Sequence, residues 1–184
     1  MSDIDTRLTA AYISPHFMSN ALIAIRSLCQ PYSDAYRAMT ELSEFMRSSL
    51  DVLNETGPIP IEDELDTVEK YLDIQNIRFE DKITVDWDIT DSDFKVPAFS
   101  VQLAVENAVI HGINKEGSIL IGTYKTENGH KVIIKDDGKG FDPSTPEGIG
   151  IKTLKSRVDA MCSGSVDIKS GPGTTVTIYI PEEA

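Results

Sequence analysis

P-A-F-S-V-Q-L-A-V-E-N-A-V-I-H-G, Pro97 to Gly112, is the stretch on which the fold turns. It predicts a helix opened by Pro97. At about 100° per residue, Val101, Ala104, Val105, Ala108 and Val109 form one continuous apolar stripe. Glu106, Asn107 and His111 fall outside it. A helix this apolar is expected to be largely buried, so the Glu-Asn pair on its flank needs partners. Two readings stand: a polar pair satisfied at a helix edge, or a metal or nucleotide site.

Downstream, strands are expected over 118–126 and 131–135, joined by a turn around E-N-G-H. Lys131, Ile133 and Lys135 share one face of the second strand, and Val132, Ile134 and Asp136 share the other. The lysines mark the wet face, so Asp136 is expected to point inward. An inward carboxylate costs several kcal/mol, on the order of 3 to 5, unless hydrogen-bonded. Gly138 and Gly140 follow at once in D-D-G-K-G-F, where backbone can approach closely. A carboxylate beside such room suits a ring bearing an exocyclic amine. Gly148 and Gly150 then stand at the mouth of a helix carrying Ile151, Leu154, Val158 and Met161. The free N–H groups of such an N-terminus suit phosphate oxygens. A final hairpin turns at S-G-P-G-T-T, with Thr174 in phase with the inward row Val176, Ile178 and Ile180.

Upstream, the pattern is helical from Leu8 to Gln30, interrupted at Pro15, which either starts or kinks the helix. Met18, Ala21, Ile25 and Leu28 carry the 3-4-3 spacing of a helix–helix seam. His16 and Asn20 point away from that seam and are neighbours one turn apart. Q-P-Y-S is a turn, with Ser33 as N-cap of a helix from about Asp34 to Leu53. Its apolar face is Met39, Leu42, Met46, Leu50 and Leu53. Two such helices have little core of their own and are expected to pair with a second copy. An exposed histidine is ordinarily only a surface residue, but neutral imidazole is also a competent nucleophile towards phosphorus.

G-P-I-P, Gly57 to Pro60, is the expected domain boundary, giving residues 1–56 and 57–184. An acidic-fronted helix follows, with Leu65, Val68, Leu72 and Ile77 as its buried side. Then Ile83, Val85, Trp87 and Ile89 alternate as a strand with one buried face. The 184 residues carry a net charge of −13, which argues against nucleic acid or an anionic membrane as partner. It leaves room for phosphate held by backbone N–H groups. Cys29 and Cys162 are in no metal or redox spacing and suit a reducing, cytoplasmic setting. No apolar run approaches membrane-spanning length, so any membrane sensor is expected to lie outside these residues.

E-N-A-V-I-H-G, D-D-G-K-G-F, G-I-G-I-K and G-P-G-T-T-V, in that order, resemble the ATP-binding module of the histidine kinase, gyrase and heat-shock chaperone superfamily. S-P-H-F-M-S-N, L-S-E-F-M-R-S-S-L and Y-L-D-I-Q-N-I-R-F resemble the LytS-type sensor histidine kinases, whose pattern around the histidine is close to N-P-H-F-L-F-N. The resemblance implies an α+β chain. An N-terminal two-helix dimerisation hairpin would precede an α/β two-layer sandwich, a mixed sheet covered by helices, that binds ATP.

It also implies roles. His16 is the phosphoacceptor and Asn107 holds Mg²⁺ against the phosphates. Glu106 is the candidate base, and Asn20 positions a water for the reverse reaction. Asp136 binds the adenine amine, Gly138 and Gly140 shape its pocket, and Thr174 supports that contact. Gly148 and Gly150 line the phosphate end, and His111 belongs to the same ATP-binding set. The partners implied are a response regulator receiver domain and a second copy. The location implied is the cytoplasm, free or as the cytoplasmic part of a membrane sensor.

Several positions depart from the family. Ser14 and Ser19 replace the usual Asn and Phe, Phe17 stands where many histidine kinases carry an acid, and Ile110 where many carry a lysine. The expected function is a two-component histidine kinase core. The alternative is an ATP-binding regulatory or dimerisation module without phosphotransfer.

Overall fold

The computed structural model of the chain describes residues 15–53, 57–113, 116–142, 144 and 146–182; the side chains of 15–19 and 51–53 lie outside that description. Two compact units divide the chain, Met1–Asp51 and Val52–Ala184.

The first unit is helical, with α1 over Pro15–Leu28 and α2 over Asp34–Leu53. Pro15 stands at the first helical position, where its missing N–H removes no internal bond. The helix expected from Leu8 to Ser14 lies outside the described residues. Ser33 caps α2 as expected: its Oγ accepts the Tyr36 N–H at 3.2 Å and donates to the Gln30 carbonyl at 2.7 Å. Arg26 lies over the Tyr36 ring at 5.8 Å, tying α1 to α2 across the turn. Ile25 and Leu28 of the expected seam are exposed, as is Ile23.

The second unit starts with β1 (Ile59–Pro60), which pairs antiparallel with β3 (Lys95–Val96). Ile59 and Pro60 of the G-P-I-P stretch are therefore strand residues of this unit. Between these strands run α3 (Ile61–Arg78) and β2 (Ile83–Ile89). After them come α4 (Ser100–Asn107), a π-helical turn (Ala108–Ile113), β4 (Gly117–Thr126) and β5 (Gly129–Asp136). The unit ends with α5 (Ile149–Cys162), β6 (Ser165–Gly171) and β7 (Gly173–Pro181).

Five strands form one sheet in the order β2-β4-β5-β7-β6. β2 runs parallel to β4 and the other pairs are antiparallel, so the sheet is mixed. Ile119, Ile121, Val132, Ile134, Val176, Ile178 and Ile180 are buried, each at an alternate position of its strand. The helices form the second layer: α3 packs on α4, α4 on α5, and the π turn on β4, β5 and β7. The whole expected stripe is buried, from Val101 in α4 through Val109 in the π turn. Each of its three valines contributes about 1.5 to 3 kcal/mol on leaving water, and each alanine less. No described helix is long and apolar enough to cross a membrane.

Three expectations are corrected. First, α4 begins at Ser100 rather than Pro97, because Phe99 takes a left-handed conformation at φ 61°. That turn aims the Phe99, Val101 and Gln102 N–H groups at one carboxylate, Glu64, at 2.8, 2.9 and 3.1 Å. Second, the buried face of α3 is rotated from the one expected. Ile61, Glu64, Val68, Tyr71 and Leu72 are buried, while Leu65 and Ile77 are half-buried. Glu64 lies in that core stripe because it caps another helix, not its own. Third, the apolar row of β2 is not uniformly buried. Ile83 is, but Trp87 and Ile89 are 41% and 40% exposed, since β2 borders the sheet.

Candidate functional site

Asp136 ends the inward row of β5 and is 3% exposed. Its Oδ1 accepts the Gly138 N–H at 3.0 Å and the Thr174 N–H at 3.1 Å. One oxygen is thus fixed by backbone, which holds the plane of the carboxylate and leaves Oδ2 as the open acceptor. Thr174 contributes its backbone N–H as well as a side chain lining the cavity.

Three glycines make this approach possible. A Cβ on Gly112 would stand 2.6 Å from Cγ and Oδ1 of Asp136. One on Gly138 would overlap the Gly112 carbonyl, and one on Gly173, at φ +87°, would overlap the Asp136 carbonyl. Gly112 and Gly173 were missed as site residues by sequence reasoning. Both stand inside the quoted motifs, but nothing in their spacing shows which backbone they face.

Asn107 ends α4, and the helix widens into the π turn immediately after it. Single π turns inside α-helices recur at functional positions. Asn107 Nδ2 donates to the Leu103 carbonyl at 2.6 Å, which orients the amide and leaves Oδ1 without a donor among the described residues. Gly150, in the first turn of α5, faces this amide: a Cβ there would meet Asn107 Nδ2 at 3.5 Å, ordinary contact. Gly148 stands at the N-cap of α5 in an extended conformation.

These parts close around one cavity of about 970 Å³. Asn107, His111, Asp136, Gly140, Gly148 and Thr174 all line it, with Ile134, Ile151, Ile168 and Val176 as apolar walls. Gly138 lies behind Asp136 and Gly150 beside Asn107, and neither lines it. On the open side Phe141 is held by Ser170: its N–H donates to Ser170 Oγ at 2.9 Å, and that hydroxyl donates back to its carbonyl at 2.6 Å. Beyond it, the Asp142 carboxylate accepts the Ser144 N–H at 2.9 Å, which holds its pKa below the usual carboxylate value.

Glu106 does not line the cavity. Its Oε1 accepts the Gln102 amide at 2.8 Å, and its charge acts on Tyr71 of α3. Burial, with Glu106 second and Arg78 opposing, pushes the Tyr71 hydroxyl up to about 12. The two members of the Glu-Asn pair thus face different neighbours. His16 and Asn20 stand on α1 of the other unit; Asn20 is exposed, and the His16 side chain lies outside the described residues.

An oriented carboxylate at an apolar slot, an amide oxygen across the cavity and glycines at a helix mouth can hold an amino-bearing ring at one end and phosphates at the other. The carboxylate discriminates because it offers only acceptors. Among the described residues no cluster of three or more His, Cys, Asp or Glu side chains could hold a metal alone. Asn107 Oδ1 instead offers the hard oxygen that Mg²⁺ takes in combination with phosphate oxygens, so the donor set fits.

Comparison with known proteins agrees with this geometry. Residues 5–83 match the histidine kinase family model, and residues 100–184 match that of the histidine kinase-, DNA gyrase B- and HSP90-like ATPases. The sensor protein LytS of Staphylococcus saprophyticus is 30% identical, over 97% of this chain and 34% of that protein. The uncharacterized protein YwpD of Bacillus subtilis is 31% identical, over 95% of this chain and 70% of that protein. The chain belongs to the LytS-type sensor histidine kinase family. It spans about a third of the length of LytS itself. The histidine kinase ThkA, solved in complex with the response regulator protein TrrA, shares its fold with a TM-score of 0.57 at 14% identity, over 99% of this chain and 62% of that one. The second unit carries the ATPase fold of the family, and the motif E-N-A-V-I-H-G spans the junction of α4 with the π turn.

Proposed function

We propose that this chain is the phosphoacceptor and ATP-binding core of a two-component sensor histidine kinase, with the boundary between the two parts at Gly57. The observation that carries the reading is the convergence of Asp136, Asn107, Thr174 and Gly148 on one cavity. Asp136 Oδ2 accepts the adenine exocyclic amine, and the three crowded glycines keep that oxygen in place. The N-terminus of α5 receives phosphate oxygens. Asn107 Oδ1 holds Mg²⁺, which, when bound, neutralises charge on the phosphates.

His16 of α1 is the nucleophile. One ring nitrogen attacks the γ-phosphorus in line, the P–N bond forms, the bond to the bridging oxygen breaks, and ADP leaves. The imidazole proton passes to Glu106, whose carboxylate Gln102 holds by one oxygen. The phosphoryl then passes to an aspartate of a response regulator, and Asn20 positions a water for the reverse reaction. The exposed Ile25 and Leu28 support pairing of α1 and α2 with those of a second copy in a four-helix bundle. The setting is cytoplasmic, free or as the cytoplasmic part of a membrane-bound sensor.

Labelling with γ-phosphate-radiolabelled ATP tests the reading. Wild-type chain acquires acid-labile label and His16→Ala does not; undiminished labelling of His16→Ala removes His16 from the mechanism. A second reading is favoured by Ile110, which lines the cavity and is 57% exposed where many relatives carry a cation. It is an ATP-binding regulatory or dimerisation module without phosphotransfer. ATP binding with no label on the wild-type chain selects it.

A further inference from the structure

β2 borders the sheet: β4 pairs it on one side, and no described strand pairs it on the other. At one end of the β2–β4 ladder the Gly117 N–H donates to the Lys82 carbonyl at 3.3 Å, and at the other the Thr90 N–H donates to the Thr123 carbonyl at 3.0 Å. In a parallel ladder alternate residues of a strand turn both backbone groups to the same neighbour. Thr84, Asp86 and Asp88 therefore face β4, and Val85, Trp87 and Ile89 direct their N–H and C=O groups off the edge. Ile83 belongs to the outward set, but its N–H is taken by Asn76 Oδ1 at 3.1 Å. That closes the first position of the edge only.

The two faces of this edge differ. Trp87 and Ile89 stand in register with Ile121 and Thr123 on the helix-covered face, where both neighbours are fully buried and they are not. Asp86 and Asp88 point to the opposite face and are exposed, Asp88 accepting the Tyr124 hydroxyl at 2.7 Å. Sheet edges are usually blunted by a lysine, a proline, a bulge or shortness. Ile83 to Ile89 has seven residues in unbroken register, with no lysine and no proline. Its only charges are acidic. Two copies paired edge to edge would set acids against acids, which is destabilising across a ladder. Repulsion between copies accounts for the aspartates but not for an exposed tryptophan and isoleucine on the other face.

We infer that the free edge of β2 is a docking site for an extended segment of a partner protein that alternates apolar and basic residues. The added strand takes the outward groups of Val85, Trp87 and Ile89, lays its apolar side chains on Trp87 and Ile89, and sets its Lys or Arg side chains beside Asp86 and Asp88. This is independent of the nucleotide site.

Trp87 is the single tryptophan of the chain, so its fluorescence reads this edge alone. The probe is a blocked synthetic heptapeptide of alternating Val and Lys, titrated into the full chain. The expected result is a saturable blue shift. The same peptide N-methylated at alternate residues gives none, because it cannot extend the ladder. Asp86→Lys/Asp88→Lys, with its fold checked by circular dichroism, binds about tenfold more weakly. Absence of a saturable shift overturns the inference, as does an equal shift with the N-methylated peptide or with the double variant. A blue shift that grows with protein concentration in the absence of peptide also overturns it, by making a second copy the occupant.

Discussion

The Glu64 carboxylate accepts the Val101 amide at 2.9 Å across 37 positions of sequence. The bond is buried, and it fixes the start of the helix that carries Asn107. With Phe99 and Gln102 donating to the same group, Glu64 does for α4 what a local Ser or Asp does for most helices. Glu64→Ala therefore leaves buried amides unpaired, and is expected to destabilise the unit by about 3 kcal/mol in urea unfolding.

Glu64 also sets a pH dependence. Burial raises its pKa above 4.5, outweighing the three amide donors and the charge of Arg157. A folded-state pKa above the unfolded one gives stability that is fully present below 4.5 and is lost as pH rises towards the folded value. Glu64→Gln removes that titration. The melting temperature of wild type relative to Glu64→Gln should be highest near pH 4 and decline as pH rises through this window; a difference constant with pH contradicts it.

The glycines of the motifs should not respond alike. Gly112→Ala drives a methyl against Asp136 at 2.6 Å, and Gly138→Ala meets the Gly112 backbone. Both should abolish measurable ATP binding by calorimetry. Gly150→Ala meets only Asn107 at 3.5 Å, inside the first turn of α5. It should keep ATP affinity within about threefold and gain up to about 1 kcal/mol of stability from helix propensity.

Asp136→Asn replaces an acceptor by an amide able to donate. ATP affinity is expected to fall at least about tenfold. Inosine triphosphate, with an oxygen in place of the exocyclic amine, should lose much less. Equal losses for the two nucleotides would place the ring elsewhere in the cavity.

Ile110→Lys places a cation at an exposed position of the cavity rim without touching the core. ATP should bind a few-fold tighter, with a salt-sensitive gain, and adenosine should be unchanged. Asn107→Ala gives the complementary split. The increment in ATP affinity on adding Mg²⁺ should vanish, while binding in EDTA stays near wild type.

Much of the site was legible because it rests on strand and helix periodicity. The inward row of β5 gave Asp136, the row of β7 gave Thr174, and the stripe of α4 left Asn107 on its flank. Periodicity also put Glu106 and Asn107 together, yet adjacent helical residues diverge by about 100°, and here one faces the cavity and the other Gln102 and α3. An acid in the first turn of a helix is expected to serve its own helix dipole, so nothing local marks Glu64 as the cap of α4, whose amides lie 35 to 38 positions away. Alternation predicts a buried β2 row because it reports which side a residue faces, not how far the covering layer extends.

The sequence by itself determined the order of the main helices and strands, the mixed αβ character, the family and the inward facing of Asp136 and Thr174. These are carried by local periods and by motifs of a few residues. Tertiary structure alone decided which glycines are indispensable, which carboxylate caps α4, how Asn107 is oriented and where the sheet stays open. Each of those depends on backbone groups brought together from distant parts of the chain, and no local spacing encodes such an approach.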